Sequence, residues 1–383
     1  VNDAPITQVR AIAVVLPSLI AGAEITAPID RHDRYRRRRS SWYGMMAPVL
    51  VEIECADGST GFGITNGSSA VASVFNGHLS RFLIGERPEN LASLWDICYR
   101  AIQPYGPDGL AMMALSGIDL ALWDLVGKRA GRPVYELLGG KVRDRVPAYA
   151  SGNDAPWLES IGFSFIKLSM QAGPWDDGDA IAIATNVGII ERGRRGVSES
   201  TTLMADAWMG WTVDFATRMA GALAPLGLRW LEEPLAPDDF DRHAGVRRTL
   251  GGTSIATGEH LYTPSAFRRL IESGGVDIIQ PDAAWCGGIT GLRQIAALAA
   301  AHGIEVLPHL GGLPWGLHFV ISNVGSSMAE WYVGTLPGQE FDSAPSLYTG
   351  QAVPIDGWIA PTNAPGFGIE IDREIVEKYG RKH

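Results

Sequence analysis

Cysteine is scarce in this 383-residue chain: Cys55, Cys98 and Cys286 stand far apart, and no CxxC pair occurs. That argues against a disulfide framework and against a thiolate metal site. Long apolar runs are missing as well. The stretch over residues 11–22 is broken by Pro17 and is too short to span a bilayer. No cationic start followed by an apolar core marks a secretory leader. Charged residues make up only 19% and lean acidic, with a formal net charge of −10, which argues against a nucleic-acid partner. An anionic small substrate stays open, because a bound cation reverses the sign locally. Internal repeats and low-complexity segments are also missing. The expectation is a cytoplasmic protein with no membrane partner. What is abundant is apolar residue, 46%, enough for a sizeable core in two domains or one large barrel with additions.

Residues 6–16 read as a strand. Residues 48–55 alternate, Ala56-Asp57-Gly58-Ser59 follows as a turn, and residues 60–65 read as the hairpin return. Between the first two strands lies the basic run Arg31-His32-Asp33-Arg34-Tyr35-Arg36-Arg37-Arg38-Arg39, with Trp42 and Tyr43 beyond it. It reads either as a solvated basic loop or as a lid that grips an anion. Helical spacing follows at about 70–84, 91–103 and 110–130, the last stopped by Gly131-Arg132-Pro133. An antiparallel sheet followed by helices makes residues 1–140 an α+β domain.

From about residue 145 strands and helices alternate. Strands are expected near 145–150, 164–169, 202–206, 228–233, 254–258, 276–281, 304–308 and 328–332, with helices between most of them. The first link is too short for a normal helix and the helix near 314–325 is weakly patterned, so the count is seven strands or eight. Residues 141–335 are expected to form a TIM-type α/β barrel. Residues 336–383, rich in Pro and Gly, are expected to return to the first domain.

Within the barrel, five apolar runs end in Asp206, Glu232, Glu259, Asp282 and His309. Their spacing of roughly 25 residues suits one βα unit each, and strand ends of a parallel barrel share one mouth. Three carboxylates there, Asp206, Glu232 and Glu259, repel one another unless a hard cation cancels the charge, and an oxygen-only set suits Mg²⁺. Strand alternation sends Glu233 to the opposite face, as an ion-paired or supporting residue. Asp282 and His309 end neighbouring strands, so the carboxylate can orient the imidazole as a general base. Lys167 can place positive charge near a substrate carboxylate. Ser169, on the same face, is no strong base, so one-base chemistry such as loss of water fits better than racemisation. Glu330 is expected to donate a hydrogen bond to a developing enolate oxygen.

These strings, "MADAW", "WLEEPL", "TGEH", "QPDAAWCGG" and "LPH", together with "RHDRY", "GIDLALWDLVGK", "PVYELLGG" and "PGFG", resemble the mandelate racemase branch of the enolase superfamily over nearly the whole chain. Within it they are most similar to the L-rhamnonate dehydratases. The resemblance implies a modified (β/α)7β barrel with a capping domain that sets specificity. It implies Asp206, Glu232 and Glu259 as Mg²⁺ ligands, His309 as base with Asp282 behind it, and Glu330 as electrophilic acid. A Lys or His base acting with Mg²⁺ on an enediolate is the superfamily's general scheme. His32 and Arg38 would bind the distal end of a sugar acid, and a homo-oligomer is expected. After His309 the chain reads "LGGLPWGLH", more apolar than the Gly-Ser-Ser loop of the dehydratases. Trp315 there becomes a candidate substrate contact, and the substrate to expect is L-rhamnonate, with another sugar acid as the alternative. An epimerase would need a second base. A binding protein would not need all five strand-end residues, and metal-assisted hydrolysis would normally show His ligands.

Overall fold

The computed structural model describes residues 4–16, 25–36, 44–176, 178–333, 337 and 346–381. Alternating apolar residues in Ile6–Val14 (β1), Val49–Cys55 (β2) and Thr60–Thr65 (β3) bury one face of an antiparallel sheet ordered β1-β2-β3. Helices Ser68–Gly77 (α1) and Leu110–Ala130 (α3) cover that face, and Leu91–Ile102 (α2) packs on α3. α3 lies directly on β3, because β3 carries glycine where the backbones meet. A Cβ at Gly61 would lie 2.2 Å from the Ala121 carbonyl oxygen, and one at Gly63 2.2 Å from that of Gly117. By length and apolar character α3 could cross a membrane, but 89% of its apolar window is buried inside the fold. A helix apolar on all sides is what such a central position requires.

Two acids interrupt α3, and each is buried to join segments distant in sequence. Asp124 accepts the backbone N–H groups of Phe62 and Phe367, both at 2.9 Å, and pairs with Lys128. Asp119 accepts the Thr290 N–H at 2.9 Å. The short helix Val134–Leu137 (α4) follows.

Eight parallel strands come next: Val146–Ser151 (β4), Phe165–Ser169 (β5), Thr202–Asp206 (β6), Trp230–Glu232 (β7), Ser254–Thr257 (β8), Ile278–Ile279 (β9), Glu305–Val306 (β10) and Ala329–Tyr332 (β11). Seven helices lie between them: Ala155–Ser160 (α5), Asp179–Gly196 (α6), Val213–Leu223 (α7), Phe240–Arg247 (α8), Pro264–Glu272 (α9), Gly288–Ala301 (α10) and Pro314–Ser322 (α11). Side chains at helix starts define several of them. Asp154, Thr212 and Thr263 each accept a first-turn N–H. Among the described residues the strand count is therefore eight, and the short first link holds the six-residue α5.

The sheet runs β10-β9-β8-β7-β6-β5-β4-β11 and curls on itself. Between its ends, the Val306 N–H bonds to Gly325 O at 3.0 Å in place of a β10–β11 ladder. Tyr149, Met204, Trp230, Ala256, Ile278, Leu307 and Met328 fill the interior as one apolar plug, so the barrel is a packed core with a floor and not a pore. The C-terminal stretch adds Tyr348–Thr349 (β12) paired with Glu370–Ile371 (β14), and Trp358–Ile359 (β13), antiparallel to β4. Helix Arg373–Tyr379 (α12) then brings Gly380–Arg381 (β15) onto β1, and Arg373 pairs with Glu52 of β2.

Candidate active site

Strand register lines up the first acids. Ser169 stands opposite Asp206, and Asp206 opposite Glu232, so all three share one level at the carboxyl ends. One level down, Lys167 stands opposite Met204. Its ammonium is buried and reaches up among three carboxylates: Glu232 Oε1, Glu330 Oε1 at 2.8 Å and Asp206 Oδ2 at 3.6 Å. Burial works against a charged lysine, but these anions hold the ammonium well above its ordinary range.

Glu330 hangs from β11 and is only 2% exposed. It accepts from the Ser151 hydroxyl and from the Leu310 N–H at 2.9 Å, besides Lys167. Burial would raise its carboxyl, yet Lys167, then His309, hold it down at about 2. As arranged, Glu330 accepts hydrogen bonds from Ser151 and the Leu310 N–H and pairs with Lys167.

His309 follows β10. Its Nδ1 bonds to Asp282 Oδ2 at 2.7 Å, and Asp282 is itself fixed by the Ala284 N–H on Oδ1 at 2.6 Å. The other ring nitrogen, Nε2, faces Glu259 Oε2 at 3.7 Å. Burial lowers the imidazole's affinity for a proton, but Glu259 first, then the Asp282 hydrogen bond and Glu330, push it up to about 10.

Alternation fails at Glu233, and with it the expectation of an outward-facing side chain. The residue adopts φ +40, in the left-handed region, as the strand ends. Its carboxylate turns to His260 Nδ1 at 2.8 Å, and His260 also lies 3.5 Å from Glu259. Among the described residues, Glu233, Glu259 and His260 form a trio whose donor atoms all lie within 4.8 Å of one another, whereas Asp206 and Glu232 are drawn toward Lys167. His260 lines the mouth with its ring edge-on to Trp208, and the Trp285 ring lies 5.6 Å from the rings of both His260 and His309.

Asp206, Glu232 and Glu330 share one lysine, and Glu259 lies beside Glu233 and His260, which leaves a surplus of buried acids. Burial raises Asp206, and it pushes Glu232 up to about 8 and Glu259 to about 7. Asp206 adds repulsion at both glutamates. Oxygen donors short of positive charge fit a hard divalent cation.

The remaining candidates lie apart from this cluster. His32 is an exposed residue between two short 3₁₀ turns, Pro28–Arg31 and Asp33–Tyr35. That segment sits over the mouth: the Thr26 N–H bonds to Met170 O at 2.8 Å, and Ile25 and Ala27 pack on Trp208. Arg31 stacks over Trp175 at 5.3 Å. Arg38 lies outside the described residues. Trp315 is 5% exposed, packs in the main apolar cluster at the start of α11 and meets Tyr348 edge-on. Sequence reasoning missed Ser151, Gln280 and Trp230, all of which touch the acids. The i, i+2 spacing of Trp230 to Glu232 and of Gln280 to Asp282 was the available signal.

The α+β half also supplies part of the mouth. The Trp285 indole N–H donates to Asn66 Oδ1 at 2.9 Å, the Thr65 hydroxyl donates to Ala284 O at 2.7 Å, and the Trp95 N–H donates to Gly287 O at 2.8 Å.

A curled βα sheet whose strand ends gather acids, a lysine and a carboxylate–imidazole pair is the architecture of a barrel enzyme. The chain belongs to the mandelate racemase branch of the enolase superfamily: residues 154–375 match the family model "enolase C-terminal domain-like", and residues 43–139 match the N-terminal domain of mandelate racemase / muconate lactonizing enzyme. It is 39% identical, over 92% of this chain and 88% of the relative, to a Caldivirga maquilingensis protein provisionally named L-rhamnonate dehydratase. Among solved structures it is similar to L-rhamnonate dehydratase from Gibberella zeae, with 33% identity, a TM-score of 0.92 and coverage of 99% of this chain and 96% of that one. A second Gibberella zeae structure, complexed with Mg, matches at 32% identity and a TM-score of 0.92, covering 99% and 97% of the two chains.

Proposed function

We propose that this protein is a Mg²⁺-dependent sugar-acid dehydratase, with L-rhamnonate as the substrate to expect. Asp206, Glu232 and Glu259 are the cation's ligands, residues 1–140 are the cap that sets specificity, residues 141–335 carry the chemistry, and 336–383 tie the two together. The observation that carries this reading is the Asp282–His309 pair, 2.7 Å apart, set beside Glu259 with no second strong base at Ser169. The relatives named as L-rhamnonate dehydratases, and the magnesium in one of their structures, support the substrate and the metal.

Bound Mg²⁺ would supply positive charge to the three acids and to the substrate's carboxylate. His309 Nε2, oriented by Asp282, takes the proton from carbon 2. Lys167 places its positive charge beside the negative oxygens that result, with Glu330 held against it. The bond from carbon 3 to its hydroxyl then breaks. The departing oxygen takes a proton from His309 on the same face and leaves as water. The enol becomes a 2-keto-3-deoxy acid. A cation on Glu259 would remove the main charge that holds a proton on His309, and the imidazole that then starts the cycle neutral also ends it neutral. A screen of sugar acids with Mg²⁺, scored for 2-keto-3-deoxy acids, tests the proposal. Turnover of L-rhamnonate supports it in full. Turnover of another acid keeps the reaction and moves the substrate. Silence across the library with Mg²⁺ bound sinks it.

A further inference from the structure

Beneath Glu232 lies a polar floor that the reaction above does not use. Glu232 Oε2 accepts the Gln280 side-chain N–H at 2.7 Å and the Trp230 indole N–H at 2.9 Å, while Oε1 is on Lys167. Trp230 belongs to the plug, meeting Tyr149 edge-on, and is fully buried. Gln280 is 1% exposed and is locked at the end of β9, where its N–H bonds to Thr257 O at 2.9 Å. A carboxylate only accepts, so the amide must present its nitrogen to Glu232. That choice turns Gln280 Oε1 away from Glu232, and the Gln280 side chain also meets the buried Tyr149 hydroxyl.

Gln280 and Trp230 bring two N–H donors to one buried carboxylate oxygen, and packing alone does not require a donor at the Gln280 position. Lys167 cannot replace it, because its ammonium is shared with Glu330 and Asp206.

Taking Glu232 as a cation ligand, as the reading above does, we infer that Gln280 and Trp230 are positioning residues. They hold Glu232 Oε2 and leave Oε1 as the single oxygen that this side chain offers a divalent cation. Two donors on one oxygen fix the carboxylate's plane. Gln280 stands two residues before Asp282, so one strand end sets both the ligand and the partner of the base.

The test is calorimetric titration of Mg²⁺ into the full chain without substrate, with thermal unfolding in chelator alongside. The variants are Gln280→Met, which keeps the length and loses the donor, and Trp230→Phe, which keeps a ring against Tyr149. Each is expected to bind Mg²⁺ about 10–100-fold more weakly. The metal-free melting temperature of Gln280→Met is expected to stay close to that of the wild type, and the Mg²⁺ concentration for half-maximal turnover to rise with the dissociation constant. Should Gln280→Met not fold, Trp230→Phe decides. Wild-type binding with unchanged affinity in the variants overturns the inference alone, as does weakened binding that merely follows a lower metal-free melting temperature. A wild type that binds no Mg²⁺ removes the ligand reading of Glu232 and this inference with it.

Discussion

Burial by itself would strip His309 of its proton; Glu259, facing Nε2 at 3.7 Å, is the main reason it stays protonated up to about 10. Removing that one negative charge must lower the imidazole's affinity for a proton. In protein without added cation, Glu259→Gln is expected to shift the His309 titration to lower pH, read by NMR of the ring protons. An unmoved titration would break the link between the two. A cation on Glu259 acts in the same direction, which would tie the readiness of the base to the filling of the metal site. His309→Asn is expected to keep Mg²⁺ binding, measured by calorimetry, while turnover falls by roughly 10²–10⁴-fold. Near-normal turnover would end the assignment of His309 as base.

At the scale of elements, the strand ends show what the sequence could and could not tell. Asp206, Glu232, Asp282 and His309 were legible because a short apolar run ending in a polar group has few other uses in a βα unit. Glu233 was misread because alternation assumes extended backbone, and the chain turns left-handed there. The burial of Trp315 was not legible because a tryptophan in a loop-like string gives no hint of the apolar neighbours that later elements, such as Tyr348, bring to it. Gln280 was passed over because its partner is 48 residues away. α3 gives a further test. Asp124 satisfies the N–H groups of Phe62 and Phe367 from the middle of an apolar helix. Asp124→Ala strands both, and unfolding in urea should show a loss of about 2–4 kcal/mol. A loss near zero would mean that the two segments find other partners.

Across the whole molecule, the α+β half and the barrel are sewn together at buried polar points, and one of these responds to acid. His318 in α11 accepts the Tyr135 N–H at 3.1 Å, while burial, and then Lys141, push its pKa down to about 3 from an ordinary 6.5. The unfolded chain therefore binds a proton that the folded chain refuses between those two values, and stability falls as pH drops from 6.5 toward 3. Replacing the imidazole in His318→Gln is expected to flatten that part of the curve of melting temperature against pH. Equal slopes in the two proteins would remove His318 from the account. Another seam reaches the chemistry itself. Trp285 holds Asn66 by its N–H, and its ring lies 5.6 Å from the rings of His260 and His309. On the proposed reading, one side chain then ties the wall of the cap to the base. A chimera that takes residues 44–140 from a relative is expected to import a new preference for substrates and a retuned base in one exchange, so that selectivity and reactivity would travel as a single trait.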